Sequence, residues 1–161
     1  WGFMVEQGAT TIWERWNGYV PGVGFADNNM NSFNHFAFGA VGEWMMRELA
    51  GIHLDPSHPA CKHFAIRPRI GSSFAWVEAY YDSLHGRILS SWKVAGNRAS
   101  LNITVPVNTT ADVLIPTKDV DTIEESGKKA SMSEGVSTVK AGENNSLICV
   151  ESGSYEFAFH V

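Results

Sequence analysis

Hydrophobic positions recur with a helical period at the start of the chain and with an alternating period beyond about residue 62, and this change of period divides it. Trp1, Met4 and Val5 share one helical face, and Gly8 is placed to end that helix in a left-handed conformation. Thr10, Thr11 and Ile12 are β-branched residues in succession, which favours an extended path or a short, reluctant helix. A Gly- and Asn-rich loop over 17–31 follows. Asn31 or Ser32 is then placed to cap a second predicted helix, running to Ala50 and stopping at Gly51. Phe33, Phe36, Ala37, Ala40, Val41 and Trp44 fall on one face of it, with His35, Gly39, Gly42 and Met46 opposite. Apolar or small residues nearly all round predict a helix buried among other helices.

A connector over 52–62 holds Pro56 and Pro59, after which the sequence alternates. Ala75, Val77, Ala79 and Tyr81 point one way and Trp76, Glu78, Tyr80 and Asp82 the other, up to a turn at 83–86. Further short strands are predicted at 88–94, 101–105, 112–115, 137–141, 147–150 and 155–160, with a solvated hairpin at 121–133. This spacing, with Gly, Asn and Pro in the turns, predicts an antiparallel β-sandwich. The fold class expected is therefore a two-part α+β chain, with helices over 1–55 and a β-sandwich over 56–161.

The 161 residues, 44% apolar, suffice for one good-sized core or two small ones. A net charge of -5 without basic clusters argues against nucleic acid as a partner, because that binding needs concentrated Lys and Arg to displace counterions. No apolar run approaches the length that spans hydrocarbon, so no membrane partner is expected either. The chain starts at Trp1 within an amphipathic pattern, without initiator Met or signal peptide, and reads as a piece of a longer protein. Its compartment stays open. Cys61 and Cys149 lie far apart in sequence and read as free thiols, although their spacing leaves a disulfide open. His53, His58 and His63 surround Cys61 but match no closed zinc spacing, and Gly22 and Gly24 form no phosphate-binding motif; no metal or cofactor is expected.

Candidate chemistry concentrates at 7–16, where Trp13-Glu14-Arg15-Trp16 sets one carboxylate between two indoles. An indole packs against the apolar C–H face of a pyranose and excludes water, and a carboxylate beside it can deprotonate a water aimed at the anomeric carbon. Residue types alone favour a surface Glu14 paired with Arg15. His35 follows the loop. If the flanking segments pack antiparallel, it lies at the same end as Glu14, where a neutral imidazole offers a donor and an acceptor to a sugar hydroxyl. A buried helical histidine bonded to a backbone carbonyl is the alternative.

The block at 7–16, followed by Asn31-Ser32-Phe33-Asn34-His35-Phe36-Ala37-Phe38-Gly39 and Leu49-Ala50-Gly51-Ile52, closely resembles the end of bacterial α-L-rhamnosidases of glycoside hydrolase family 78. The β half resembles their C-terminal domain, in Lys62-His63-Phe64 with Arg67-Pro68, His85-Gly86 with Ser91-Trp92, and Val105-Pro106 with Asn108-Thr109-Thr110-Ala111. The resemblance implies that the helical part is the C-terminal end of an (α/α)6 catalytic barrel. It further implies that Glu14 is the general base of an inverting hydrolysis, that His35 contacts rhamnose, and that Trp13 and Trp16 wall the sugar pocket. Phe36 stands where relatives often carry Tyr. An inverting glycosidase needs a second, protonated carboxyl group about 6.5–9.5 Å from the base. The family's acid lies upstream of Trp1, so the isolated chain is expected to be inactive and to need the rest of the barrel as its partner. The alternative from another class is a non-catalytic carbohydrate-binding or structural β-sandwich module.

Overall fold

The computed structural model describes residues 1–26, 29–71 and 73–161. It divides into two compact units, Trp1–Trp44 and Met45–Val161. No helix among the described residues is long and apolar enough to cross a membrane.

The first unit opens with α1 (Gly2–Glu6), in which Met4 is buried, and Gly8 takes the left-handed φ of +73° that its position predicts. β1 (Tyr19–Val20) and β2 (Gly24–Phe25) form a small antiparallel hairpin. A 3-10 turn, Ala37–Ala40, leads into α2 (Val41–Trp44). The second helix thus starts later than its sequence predicts, because the backbone of 32–35 is bonded elsewhere: Glu14 N–H donates to Ser32 O at 2.8 Å and His35 N–H to Ile12 O at 2.8 Å. No side chain over Ala37–Trp44 is buried in this chain, and Phe36 and Trp44 are exposed.

The second unit opens with a π-helical turn, Met45–Leu49, followed by Gly51 at φ +78°. Ile52–Leu54 forms β3 and pairs antiparallel with β4 (His63–Ile66), so the predicted connector is in part a strand. Its three residues are too few to show a period. Then come β5 (Trp76–Ser83), β6 (Gly86–Ala95), β7 (Arg98–Val105) and β8 (Thr110–Ile115). The hairpin β9 (Glu124–Glu125) and β10 (Lys128–Lys129) precedes β11 (Val136–Ala141), β12 (Ser146–Val150) and β13 (Gly153–His160). They form a six-stranded sheet, β10-β9-β13-β7-β6-β5, and a five-stranded sheet, β11-β12-β8-β4-β3. One pairing departs from the antiparallel expectation: β4 runs parallel to β8, with His63 opposite Thr110 and Ile66 opposite Val113.

Alternation places Ile88, Trp92, Leu101, Ile103, Phe157 and Phe159 of the larger sheet in the core, against Phe64, Ile66, Val113, Ile115 and Ile148 of the smaller one. Removing such a side chain from water contributes about 1.5–3 kcal/mol. Two hydrogen bonds tie the start of this unit to that core: Trp92 Nε1–H donates to Leu49 O at 2.7 Å and Ser90 Oγ–H to Ala50 O at 2.6 Å. Cys61 and Cys149 are free thiols, and burial pushes both upward from their ordinary pKa.

Candidate active site

The segments around Glu14 and His35 form a short antiparallel ladder within the first unit. Besides its two backbone bonds, the Thr11 hydroxyl donates to the Phe33 carbonyl. The ladder arises because 10–12 holds three β-branched residues that resist helix, leaving extended backbone to pair with the chain returning from the loop. Glu14 and His35 therefore lie on paired strands of backbone, with Ile12 bonded to His35 and Glu14 to Ser32.

The Glu14 carboxylate is fixed by this arrangement: its Oε2 accepts the Ser32 amide at 2.8 Å. Both Glu14 and His35 are half-buried. The His35 ring stacks on Phe36 at 5.0 Å and 15°, and its Nδ1 accepts the Ala37 amide at 3.2 Å. With Nδ1 occupied as acceptor, a neutral imidazole carries its proton on Nε2 and presents a donor there.

The two indoles differ. Trp13 is buried, edge-on to Phe33 at 5.0 Å, while Trp16 is 43% exposed, stacked on Phe38 at 3.9 Å and met edge-on by Trp1 at 4.8 Å. Ser32 and Phe38 are the residues that sequence reasoning missed. Ser32 reads there as a helix cap, and nothing in the spacing marks Phe38 as the platform beneath Trp16. An apolar hollow of about 230 Å³ in the same unit is lined by Trp1, Met4, Val5, Ala9 and residues 10–12, and not by Glu14 or His35.

His58 and His63 of the second unit are engaged by neighbouring side chains. His58 Nδ1 lies 2.7 Å from Asp55 Oδ2, and His63 Nδ1 lies 2.8 Å from Thr110 Oγ1. Hydrogen bonds from Ser57 and then His58 hold the Asp55 carboxyl at a pKa of about 2. Among the described residues no three His, Cys, Asp or Glu side chains converge as metal ligands would.

Known proteins share both units. The family model for the bacterial alpha-L-rhamnosidase 6 hairpin glycosidase domain matches residues 1–49, and that for the bacterial alpha-L-rhamnosidase C-terminal domain matches residues 51–130. An alpha-L-rhamnosidase of Streptomyces avermitilis is 37% identical over 98% of this chain, and one of Formosa agariphila is 34% identical over 98%. The crystal structure of the Streptomyces avermitilis enzyme complexed with L-rhamnose superimposes with a TM-score of 0.80 over 98% of this chain, at 37% identity. The structure of the alpha-L-rhamnosidase from Dictyoglumus thermophilum superimposes with a TM-score of 0.78 over 99% of this chain, at 29% identity. The chain belongs to the bacterial α-L-rhamnosidase family, a family of glycoside hydrolases. It spans 14% of the length of the Streptomyces relative and 17% of that of the Formosa relative.

Proposed function

We propose that this chain works within a longer α-L-rhamnosidase that releases terminal α-L-rhamnose, and that its first unit supplies one wall of the catalytic site at the end of an (α/α)6 barrel. Glu14 is the general base. It takes a proton from the water that attacks the anomeric carbon, while an acid supplied by the preceding part of the barrel protonates the departing oxygen, and the configuration inverts. His35 donates from Nε2 to a hydroxyl of the sugar. Trp16 offers its partly exposed indole as an apolar wall, and Trp13, packed on Phe33, holds the backbone on which Glu14 sits.

The observation that carries this reading is the double link between Glu14 and Ser32, which fixes the carboxylate on the same ladder as His35. A base held by a backbone amide is oriented before substrate arrives, so little of its alignment has to be won in the transition state. Two of the blocks that resemble the family in sequence, at 7–16 and 31–39, contain the two strands of that ladder.

The test is hydrolysis of an aryl α-L-rhamnoside by the chain alone and by a polypeptide carrying it behind a family barrel, with the product anomer followed by NMR. Activity in the longer polypeptide only, with initial release of the inverted anomer, is the expected result. A longer polypeptide that binds rhamnose without hydrolysing the glycoside would replace this reading with a non-catalytic carbohydrate-binding module. Release of the retained anomer would remove the general-base role from Glu14.

A further inference from the structure

The outer face of the six-stranded sheet carries two exposed aromatic side chains, Trp76 and Tyr80, on one edge strand. On β5, the edge strand, Val77 and Ala79 turn inward against the core while Trp76, Glu78, Tyr80 and Asp82 turn outward. Trp76 is 65% exposed and Tyr80 54%. Their separation of four residues along a strand corresponds to about 13 Å, too long for one sugar ring and suited to a short run of linked pyranoses. The register continues the face in rows. Trp76 lies opposite Lys93 and that opposite Ser100; Glu78 opposite Ser91 and that opposite Asn102; Tyr80 opposite Leu89 and that opposite Thr104.

We propose that this face is a binding site for a neutral, linear oligosaccharide, with Trp76 and Tyr80 as two stacking platforms and the row that starts between them, Glu78, Ser91 and Asn102, as hydrogen-bonding groups. Charge decides the class of occupant. Arg87 is tied to Asp82 at 2.7 and 3.1 Å and lies 3.9 Å over the Tyr80 ring, which fixes that ring and cancels the charge beside it. Glu78 and Lys93 sit on neighbouring strands with opposite sign and the exposed Glu156 stands opposite Asn102, so the face offers no positive field to a polyanion. The central row, Glu78, Ser91 and Asn102, is polar throughout and lacks the apolar cluster that anchors protein interfaces. A glycan chain, with apolar ring faces and hydroxyl edges, matches isolated aromatics alternating with hydrogen-bonding polar groups. An exposed edge strand bearing Trp is also an aggregation hazard, and is kept at a cost unless something uses it.

The choice of rhamnose-containing probes rests on the proposed function; the site itself does not. Calorimetric titration of the 161-residue chain with a rhamnan tetrasaccharide, and separately with free L-rhamnose, tests it. Binding of the tetrasaccharide and at least about tenfold weaker binding of the monosaccharide are expected, because one ring reaches one platform. Trp76→Ala and Tyr80→Ala should each weaken the tetrasaccharide about tenfold or more, with Trp76→Phe restoring most of the affinity and circular dichroism unchanged in all three. Glu14→Gln should leave this binding intact, which separates it from the catalytic reading. Failure of the chain to bind the tetrasaccharide, indifference of binding to both alanine variants, or sedimentation showing that the chain dimerises through this face and that Trp76→Ala abolishes the dimer would each overturn the proposal.

Discussion

Glu14 and Ser32 are joined twice, by the Glu14 amide donating to the Ser32 carbonyl at 2.8 Å and by the Ser32 amide donating to the Glu14 carboxylate at 2.8 Å. The second bond is charge-assisted and aims one carboxylate oxygen at the backbone. A purely structural glutamate would be satisfied by this bond. A general base gains from it a fixed orientation, and a substitution that keeps the bond while removing the basicity separates the two roles.

Glu14→Gln is that substitution. Its amide oxygen can still accept from Ser32, so the ladder stays closed and stability should change by less than about 1 kcal/mol. In the longer active polypeptide, kcat on an aryl α-L-rhamnoside should fall by about 10²–10⁴, the usual contribution of a positioned base, with KM nearly unchanged. A kcat within about threefold of the parent would show that another group takes the proton.

The strands of the sandwich were legible because one face of each turns to the core: the partly buried Val77 and Ala79 against Trp76 and Tyr80, or the buried Leu101 and Ile103 against Asn102 and Thr104. The resemblance to rhamnosidases was legible as well, and the comparisons bear out the family. What escaped depends on partners distant in sequence. The helical period of 33–44 extends back past His35, but bonds from Ile12 and Glu14 claim that backbone, and no local pattern announces them. β3 is too short for a period, and the parallel pairing of β4 with β8 needs a crossover that alternation does not encode. At the site, Trp13 and Trp16 look alike in sequence; only their neighbours, Phe33 beneath one and Phe38 beneath the other, make one buried and one exposed.

Trp92→Phe should destabilise the second unit by about 2–4 kcal/mol. The ring that remains is smaller, and the Leu49 carbonyl loses its 2.7 Å donor in a dry environment. Urea unfolding of the chain should show a lower midpoint with an unchanged slope. A loss below about 0.5 kcal/mol would mean that water reaches the Leu49 carbonyl.

Gly51→Ala should cost more than backbone strain alone. Gly51 has φ +78°, and a Cβ there would stand 2.1 Å from the Pro68 nitrogen and 2.5 Å from the Arg67 carbonyl carbon, both backbone atoms that cannot swing aside. Gly96 has φ +64° with nothing within 4 Å, so Gly96→Ala isolates the left-handed penalty of about 1–2 kcal/mol. Gly51→Ala should exceed that by at least about 2 kcal/mol, read as the difference in unfolding free energy between the two variants. Equal losses would show that the 51–68 contact relaxes freely.

Acid should weaken the second unit in two stages, the first through His53. Burial, then the positive charges of Arg67 and Arg47, lower the His53 pKa below its ordinary 6.5, while Glu48 opposes them; Arg67 Nη2 lies 3.0 Å from His53 Nδ1. The unfolded chain therefore binds a proton at this site before the folded one does. Stability is fully present above the unfolded value of 6.5 and falls as the pH drops from there toward the lower folded value. Asp55 adds a second loss between 3.8 and about 2, as its bonds from Ser57 and His58 are titrated away. Urea unfolding at about pH 7.5 and about pH 5.5 should show lower stability at the acid end, and His53→Gln, which keeps an acceptor for Arg67, should shrink the difference. An undiminished difference in that variant would assign the first stage to another histidine.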